Sequence, residues 1–205
     1  INEYLFAKEN FALALVVETW NSAPKPVGSI LLVSESGEIS GSVSGGCVEG
    51  AVISEAQISL KTQKSKILKF GVTNEDAFQV GLACGGEIKI LIEPITNVND
   101  SKRKLLERFF KNNLKGDFSI LKICLESSKR ELIESEKASK FLSKNEKYQR
   151  QSFLNGEVFY YILPPKSKVV VVGAVHIAQH LVEFGNQFDF DIYVIDPRIS
   201  FANKK

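Results

Sequence analysis

Residues 12–19 (ALALVVET) are apolar and rich in β-branched side chains, the pattern of a buried strand. The chain then turns polar over WNSAPKPVG, a loop held extended by Pro24 and Pro26. Apolar positions resume at Ile30–Val33, and Ser36-Gly37 predicts a tight turn into a second strand that ends near Gly41. After Gly45-Gly46 the period changes. Val48, Ala51, Val52, Ala56 and Leu60 recur at helical spacing, so a helix starts there. A short strand at 66–70 follows, then a brief helix over 73–79 with Thr73 as N-cap and Glu75-Asp76 in its first turn. Residues 81–86 read as a glycine-rich bend, and EIKILIE (87–93) alternates as a half-buried strand.

Downstream, a helix over 99–113 groups Leu105, Leu106, Phe109 and Phe110 on one side. Strands are predicted over 118–125, 130–134 and 157–163, with a short helix over 136–143, and Pro164-Pro165 close this region. Residues 168–172 (KVVVV) open a different unit, because a continuous apolar run is a strand covered on both faces. It passes through Gly173 into a helix with Ile177, Leu181 and Phe184 on one face, then into a strand at 191–195 that ends at Asp196. The expected fold class is therefore α/β. A mixed-sheet α/β domain occupies 1–163, and 164–205 form the first βαβ unit of a Rossmann-like, doubly wound domain. One such unit cannot bury both faces of its own strands, so it packs on the first domain or on another chain, or, the favoured expectation, the rest of its sheet is missing; both chain ends look cut.

Composition narrows the function classes. The 205 residues carry 44% hydrophobic and 24% charged side chains, enough apolar mass for a real core. Net charge is only +2, with both signs mixed along the chain, which leaves no electrostatic footprint for nucleic acid or a membrane surface. No apolar run approaches the ~20 residues that span a bilayer, and no signal peptide is visible. Cys47, Cys84 and Cys124 lie far apart, a sparse and odd set that suits a reducing cytoplasm. With two histidines in all, the ligands of a structural zinc site are hard to assemble.

Three segments carry candidate chemistry. Ser44-Gly45-Gly46-Cys47-Val48-Glu49-Gly50 stands at a helix start, where two glycines can turn backbone N–H groups toward one point that attracts an anion. A thiol there gains thiolate character and can meet a soft metal. The plainer alternative is a packing turn with Cys47 as a small buried hydrophobe. Gly81-Leu82-Ala83-Cys84-Gly85-Gly86 again joins a cysteine to a glycine pair, with a β-bulge or tight hairpin entry as its alternative. Cys124 sits inside an apolar strand and reads as structural. In Gly173-Ala174-Val175-His176-Ile177-Ala178, Val175 replaces the second glycine of a dinucleotide fingerprint, so the fold signal exceeds the NAD signal. Asp196 ends the second strand, where an acid usually holds a ribose hydroxyl, and His176 either faces a ligand or makes a surface contact.

These segments resemble the xanthine dehydrogenase accessory factors, the XdhC/CoxI family. TWNSAPKPVGSILLV, GSVSGGCVEGAVISEA, ILKFGVTNEDAFQVGLACGGEIKILIEP and VVVVGAVHIAQHL…VIDPRISFA are similar to its segments in the same order, while 97–163 adds little. The resemblance implies a cytoplasmic, non-catalytic chaperone. It binds molybdenum cofactor (molybdopterin), supports its sulfuration and delivers it to a molybdenum hydroxylase apoenzyme of the xanthine or carbon monoxide dehydrogenase type. A cysteine desulfurase is the implied sulfur donor and a homodimer the expected assembly. Carried over, Ser44, Gly45, Gly46, Cys47, Glu49, Cys84, Gly85 and Gly86 become cofactor-binding candidates, with Cys47 and Cys84 as contacts to the molybdenum. Gly173, His176 and Asp196 become candidates for a nucleotide or pterin-phosphate pocket. The competing expectations are a nucleotide-dependent oxidoreductase or thiol enzyme, and a truncated scaffold that binds no cofactor.

Overall fold

The computed structural model describes residues 2–71, 86–97, 100–145, 148, 151–163, 167–188 and 190–201. The helix expected over 73–79 lies outside them, as does all of the expected bend except Gly86. The chain divides into two compact units, Ile1–Leu163 and Pro164–Lys205.

The first unit opens with a short helix, α1 (Asn2–Phe6), and continues through β1 (Phe11–Trp20), β2 (Ile30–Ser34) and β3 (Ile39–Gly41). Helix α2 (Glu49–Thr62), β4 (Lys66–Phe70), β5 (Glu87–Ile95) and α3 (Asp100–Lys115) come next. The remainder is β6 (Ser119–Cys124), β7 (Arg130–Glu134), α4 (Ser135–Ser143), β8 (Phe153–Asn155) and β9 (Val158–Ile162). Strand order is β3-β2-β1-β5-β4 in one sheet and β7-β6-β9-β8 in the other. Every described pairing in both sheets is antiparallel, so the mixed sheet expected from the sequence does not form. The reason is topological. Helix α2 does connect two strands that run the same way, but β3 and β4 stand at opposite edges of their sheet and never pair.

Alternation along β1 splits the core. Phe11, Leu13, Leu15 and Val17 point into a layer with Leu106 and Phe109 of α3 and with Leu121, Phe159 and Tyr161 of the second sheet. Ala12, Ala14 and Val16 point the other way, onto Val52, Ala56 and Leu60 of α2. Each large apolar side chain sealed in this way contributes about 1.5–3 kcal/mol. The five-stranded sheet is therefore a covered middle layer, which is why β5 is buried almost throughout rather than on one face. Helix α4 covers the outer face of the second sheet through Ala138 and Leu142. A buried carboxylate, Glu93, holds two cations inside the unit. Arg130 donates to Glu93, both side chains nearly sealed, with Lys102 Nζ 3.4 Å from the same carboxylate.

In the second unit, β10 (Lys168–Val172) and β11 (Asp191–Ile195) pair in parallel, connected by α5 (His176–Gln187). The register puts Val170 beside Tyr193 and Val172 beside Ile195 on one face, and that face is open, with Val172 81% exposed. The expectation of a strand covered on both faces is thus not met. Ala178 and Gly185 are the buried residues of α5. At Gly185 a β-carbon would stand 2.4 Å from Ile192 Cδ1, so the helix approaches the strands through its small residues. Ile177, Leu181 and Phe184, which the sequence places on one face of this helix, are exposed.

Candidate functional site

Trp20 stands opposite Glu87, Phe70 opposite Ile88 and Gly41 opposite Leu31. The loop after β1, the turn after β3 and the described ends Gly71 and Gly86 therefore all leave the five-stranded sheet at one end. The β1–β2 loop joins the two glycine-rich segments. Pro24 Cβ lies 3.9 Å from where a β-carbon of Gly45 would be. At Gly86 a β-carbon would meet the backbone of Ser22 and Ala23 at 2.8–3.1 Å, an approach only glycine permits.

The turn from Ser42 to Val48 does what its glycines suggest, with a different occupant. Gly45 and Gly46 have φ of +77° and +119°, and their amides and those of the preceding residues converge on one point. That point is the carboxylate of Glu49. Its Oε1 accepts from Ser42 Oγ (2.7 Å), Val43 N (3.2 Å), Ser44 N (2.9 Å) and Gly45 N (3.0 Å). Its Oε2 accepts from Gly46 N (2.8 Å) and from the Ser44 hydroxyl. Ser44 Oγ accepts in turn from Val48 N (3.0 Å), and Ser42 Oγ from Gly45 N (2.9 Å). Burial acts to raise the Glu49 carboxyl, but the Ser44 and Ser42 hydroxyls and the amides of Ser44 and Gly46 outweigh it, and the group titrates at about 2 instead of 4.5.

Cys47 is exposed, so the alternative of a buried hydrophobe is not what forms. Its neighbour Val48 is sealed in the core, and nothing stands within 4 Å of a β-carbon placed at Gly46 or Gly50. The thiol is thus presented on an open turn. Ser44 is buried, Glu49 half-buried, and Gly86 buried against the β1–β2 loop. Cys84 and Gly85 lie outside the described residues. Cys124 ends β6 half-buried, and a hydrogen bond with the Ser127 hydroxyl lowers its thiol below the ordinary value. Among the described residues, no group of three or more His, Cys, Asp and Glu side chains is arranged to hold a metal ion, and no helix is long and apolar enough to cross a membrane.

In the second unit Gly173 has φ of +107° and donates to Ile195 O at 2.8 Å. The Asp196 side chain is only 1% exposed. Its Oδ2 accepts from Ala174 N (2.9 Å) and Arg198 Nη2 (2.9 Å), and its Oδ1 from Arg198 N (2.9 Å) and Nε (3.0 Å). The Arg198 side chain first, then the Ala174 and Arg198 amides, hold this carboxyl well below the usual range. Asp196 is therefore engaged in tying the start of the turn to the end of β11. His176, the first residue of α5, is exposed.

Sequence reasoning missed the inward use of Glu49. The spacing Ser42, Ser44, Glu49 was the available signal, with two hydroxyls and a run of amides within reach of one carboxylate. It also missed that the β1–β2 loop lies against both glycine segments, because such close approach leaves no trace beyond a glycine.

Residues 5–71 match the XdhC and CoxI family model. The chain is 31% identical over 93 residues to the molybdenum cofactor insertion chaperone PaoD of Escherichia coli K12, which is 45% of this chain and 29% of PaoD. It is 33% identical over 82 residues to the uncharacterized protein YqeB of the same strain, 40% of this chain and 15% of YqeB. A crystal structure from Bacillus halodurans described as a xanthine dehydrogenase superposes with a TM-score of 0.74 at 22% identity, covering 99% of this chain and 63% of that one. At that identity the likeness is one of fold. The aligned part of the chain spans less than a third of either curated relative. The family likeness of this chain thus rests on residues 5–71, which are similar to the XdhC and CoxI family.

Proposed function

We propose that this chain is a chaperone module for molybdenum cofactor, holding it, supporting its sulfuration and passing it to a molybdenum hydroxylase apoenzyme in the cytoplasm. The observation that carries the reading is the exposed Cys47 thiol on an open glycine turn, within the segment that matches the family. Similarity to PaoD supports the choice of ligand.

The residues present fit the cofactor in part. A soft metal-dithiolene centre suits a solvent-facing thiol, and the space beside Gly46 and Gly50 leaves room for approach. Its phosphate finds the amides of Val43–Gly46 already committed to Glu49, so the phosphate is held elsewhere. Cys47 would then contact the centre, with Gly86 packed against the β1–β2 loop, and Cys84 and Gly85 remain candidate contacts by sequence. When bound, the cofactor would supply a soft molybdenum-dithiolene centre for the client hydroxylase, and a cysteine desulfurase would be the partner that provides sulfur. The chain's own part is to bind, orient and release, so it turns over no substrate.

The second unit reads as the start of a Rossmann-like sheet. Gly173 and His176 remain its candidate contacts to a nucleotide or pterin phosphate, while Asp196 serves by fixing the turn. The open face of Val170, Val172, Tyr193 and Ile195 supports self-association as a homodimer, checked by light scattering of wild type and Val172→Lys.

The deciding experiment is anaerobic copurification of molybdenum cofactor with wild type, Cys47→Ala and Cys84→Ala. Loss of cofactor in either variant is expected, and undiminished retention in both removes the thiols from the site.

A further inference from the structure

The chain on both sides of Cys47 is held, although its side chain is free. On one side Gly46 N donates to Glu49 Oε2 at 2.8 Å. On the other, Val48 N donates to Ser44 Oγ at 3.0 Å, and that same hydroxyl donates to Glu49. Both restraints run through one carboxylate. We propose that Glu49 is the positioning residue of this site, its carboxylate strapping the Ser42–Gly46 turn into the shape that presents Cys47 Sγ to a soft, thiol-binding ligand. Only the identity of that ligand rests on the chaperone reading.

Glu49 does not contact the ligand itself, because both its oxygens face the turn, four donors meeting Oε1 and two meeting Oε2. Nor is its geometry that of a glutamate merely favoured by the helix dipole in the first turn of α2. Such a residue needs only charge near the helix end, whereas here both oxygens are used and the donors precede the helix. The charge explains the choice of residue. An array of converging N–H and O–H donors accepts a carboxylate, while the amide of a glutamine would turn an NH2 group toward other donors. Aspartate keeps the charge and loses one methylene of reach.

The test uses the full chain without cofactor, with Glu49→Gln and Glu49→Asp, below their melting temperatures. Two quantities are read: amide hydrogen exchange at 43–46, and the rate of iodoacetamide alkylation at Cys47 with Cys124 as internal reference. We expect Glu49→Gln to accelerate exchange at 43–46 by at least about tenfold. It should also change Cys47 alkylation several-fold without moving Cys124, and Glu49→Asp should recover part of both. Wild-type exchange in Glu49→Gln, parallel changes at the two cysteines, or no recovery in Glu49→Asp would each overturn the proposal. If Glu49→Gln does not fold, Ser42→Ala removes one Oε1 donor from a partly exposed position, and the same local pattern, smaller, is required. Cofactor retention is a separate readout. If the strap behaves as expected and Cys47→Ala still retains cofactor, the thiol contact fails and the strap stands.

Discussion

Gly86→Ala tests whether the β1–β2 loop is held against the start of β5. A β-carbon at this buried position would lie 2.8 Å from Ser22 O, 2.9 Å from Ser22 C and 3.1 Å from Ala23 N. Ordinary contact begins at 3.4 Å, so one backbone or the other must retreat by about 0.6 Å. The loop resists, being closed by Ala23 N donating to Asn21 O at 3.0 Å, with Asn21 at φ +55°. Overpacking against main chain costs about 1–3 kcal/mol, and the smaller entropy of an unfolded alanine chain returns about 0.4–1 kcal/mol. The net loss is about 1–2 kcal/mol, a fall in melting temperature of about 2–8 °C for a unit of this size. Gly50→Ala is the control. It lies in α2 with nothing within 4 Å of its β-carbon, and should stabilise by about 0.5 kcal/mol. Calorimetry or urea melts of the two variants give the comparison. Because Ser22–Ala23 leads directly to Pro24, Gly86→Ala should also speed amide exchange at Gly45, 41 positions away in sequence. If Gly86→Ala melts with wild type, or tracks Gly50→Ala, the close approach is not a constraint and the reasoning fails.

Other outcomes follow from the same geometry. The Glu49 carboxyl titrates at about 2 folded against 4.5 ordinarily, so its stabilisation is complete above about pH 5 and is lost as pH falls toward 2. For a half-exposed group, screened by solvent, this amounts to about 1–2 kcal/mol. The gap between wild type and Glu49→Gln in urea melts should therefore narrow from pH 6 to pH 3, and a pH-independent gap would contradict the assignment. Glu93→Leu strips the buried Arg130 of its partner, and Arg130 Nε and Nη1 already have no hydrogen-bond partner, so a loss of about 3–5 kcal/mol is expected. The double change Glu93→Leu with Arg130→Met should recover most of it, and failure to recover would show that the pair contributes more than it costs. Ser127→Ala removes the hydrogen bond that lowers the Cys124 thiol, so the pH midpoint of Cys124 alkylation should rise, and an unmoved midpoint would sever that link.

The sequence alone carried most elements of this chain, because long apolar runs and helical spacing are local signals. The predicted β1, α2, α3, β10 and β11 lie within a residue or two of the observed ones. Helix α1 and β8 were missed because both are short, although Asn155-Gly156 does turn β8 into β9 and was a readable hairpin signal. The glycine-cysteine segments pointed to the family and to a convergent set of amides. What those amides bind was decided only in three dimensions, since a glutamate in the first turn of a helix reads the same whether it faces water or folds back onto the preceding turn. The same holds for sheet direction and for strand burial. Whether a strand is covered on one face, both or neither depends on layers contributed by residues far away in sequence, and a periodicity of two or of 3.6 holds no record of them. Thus β5 alternates in sequence yet is sealed between α2 and a second sheet, while the valines of β10 run unbroken and leave a face open to solvent.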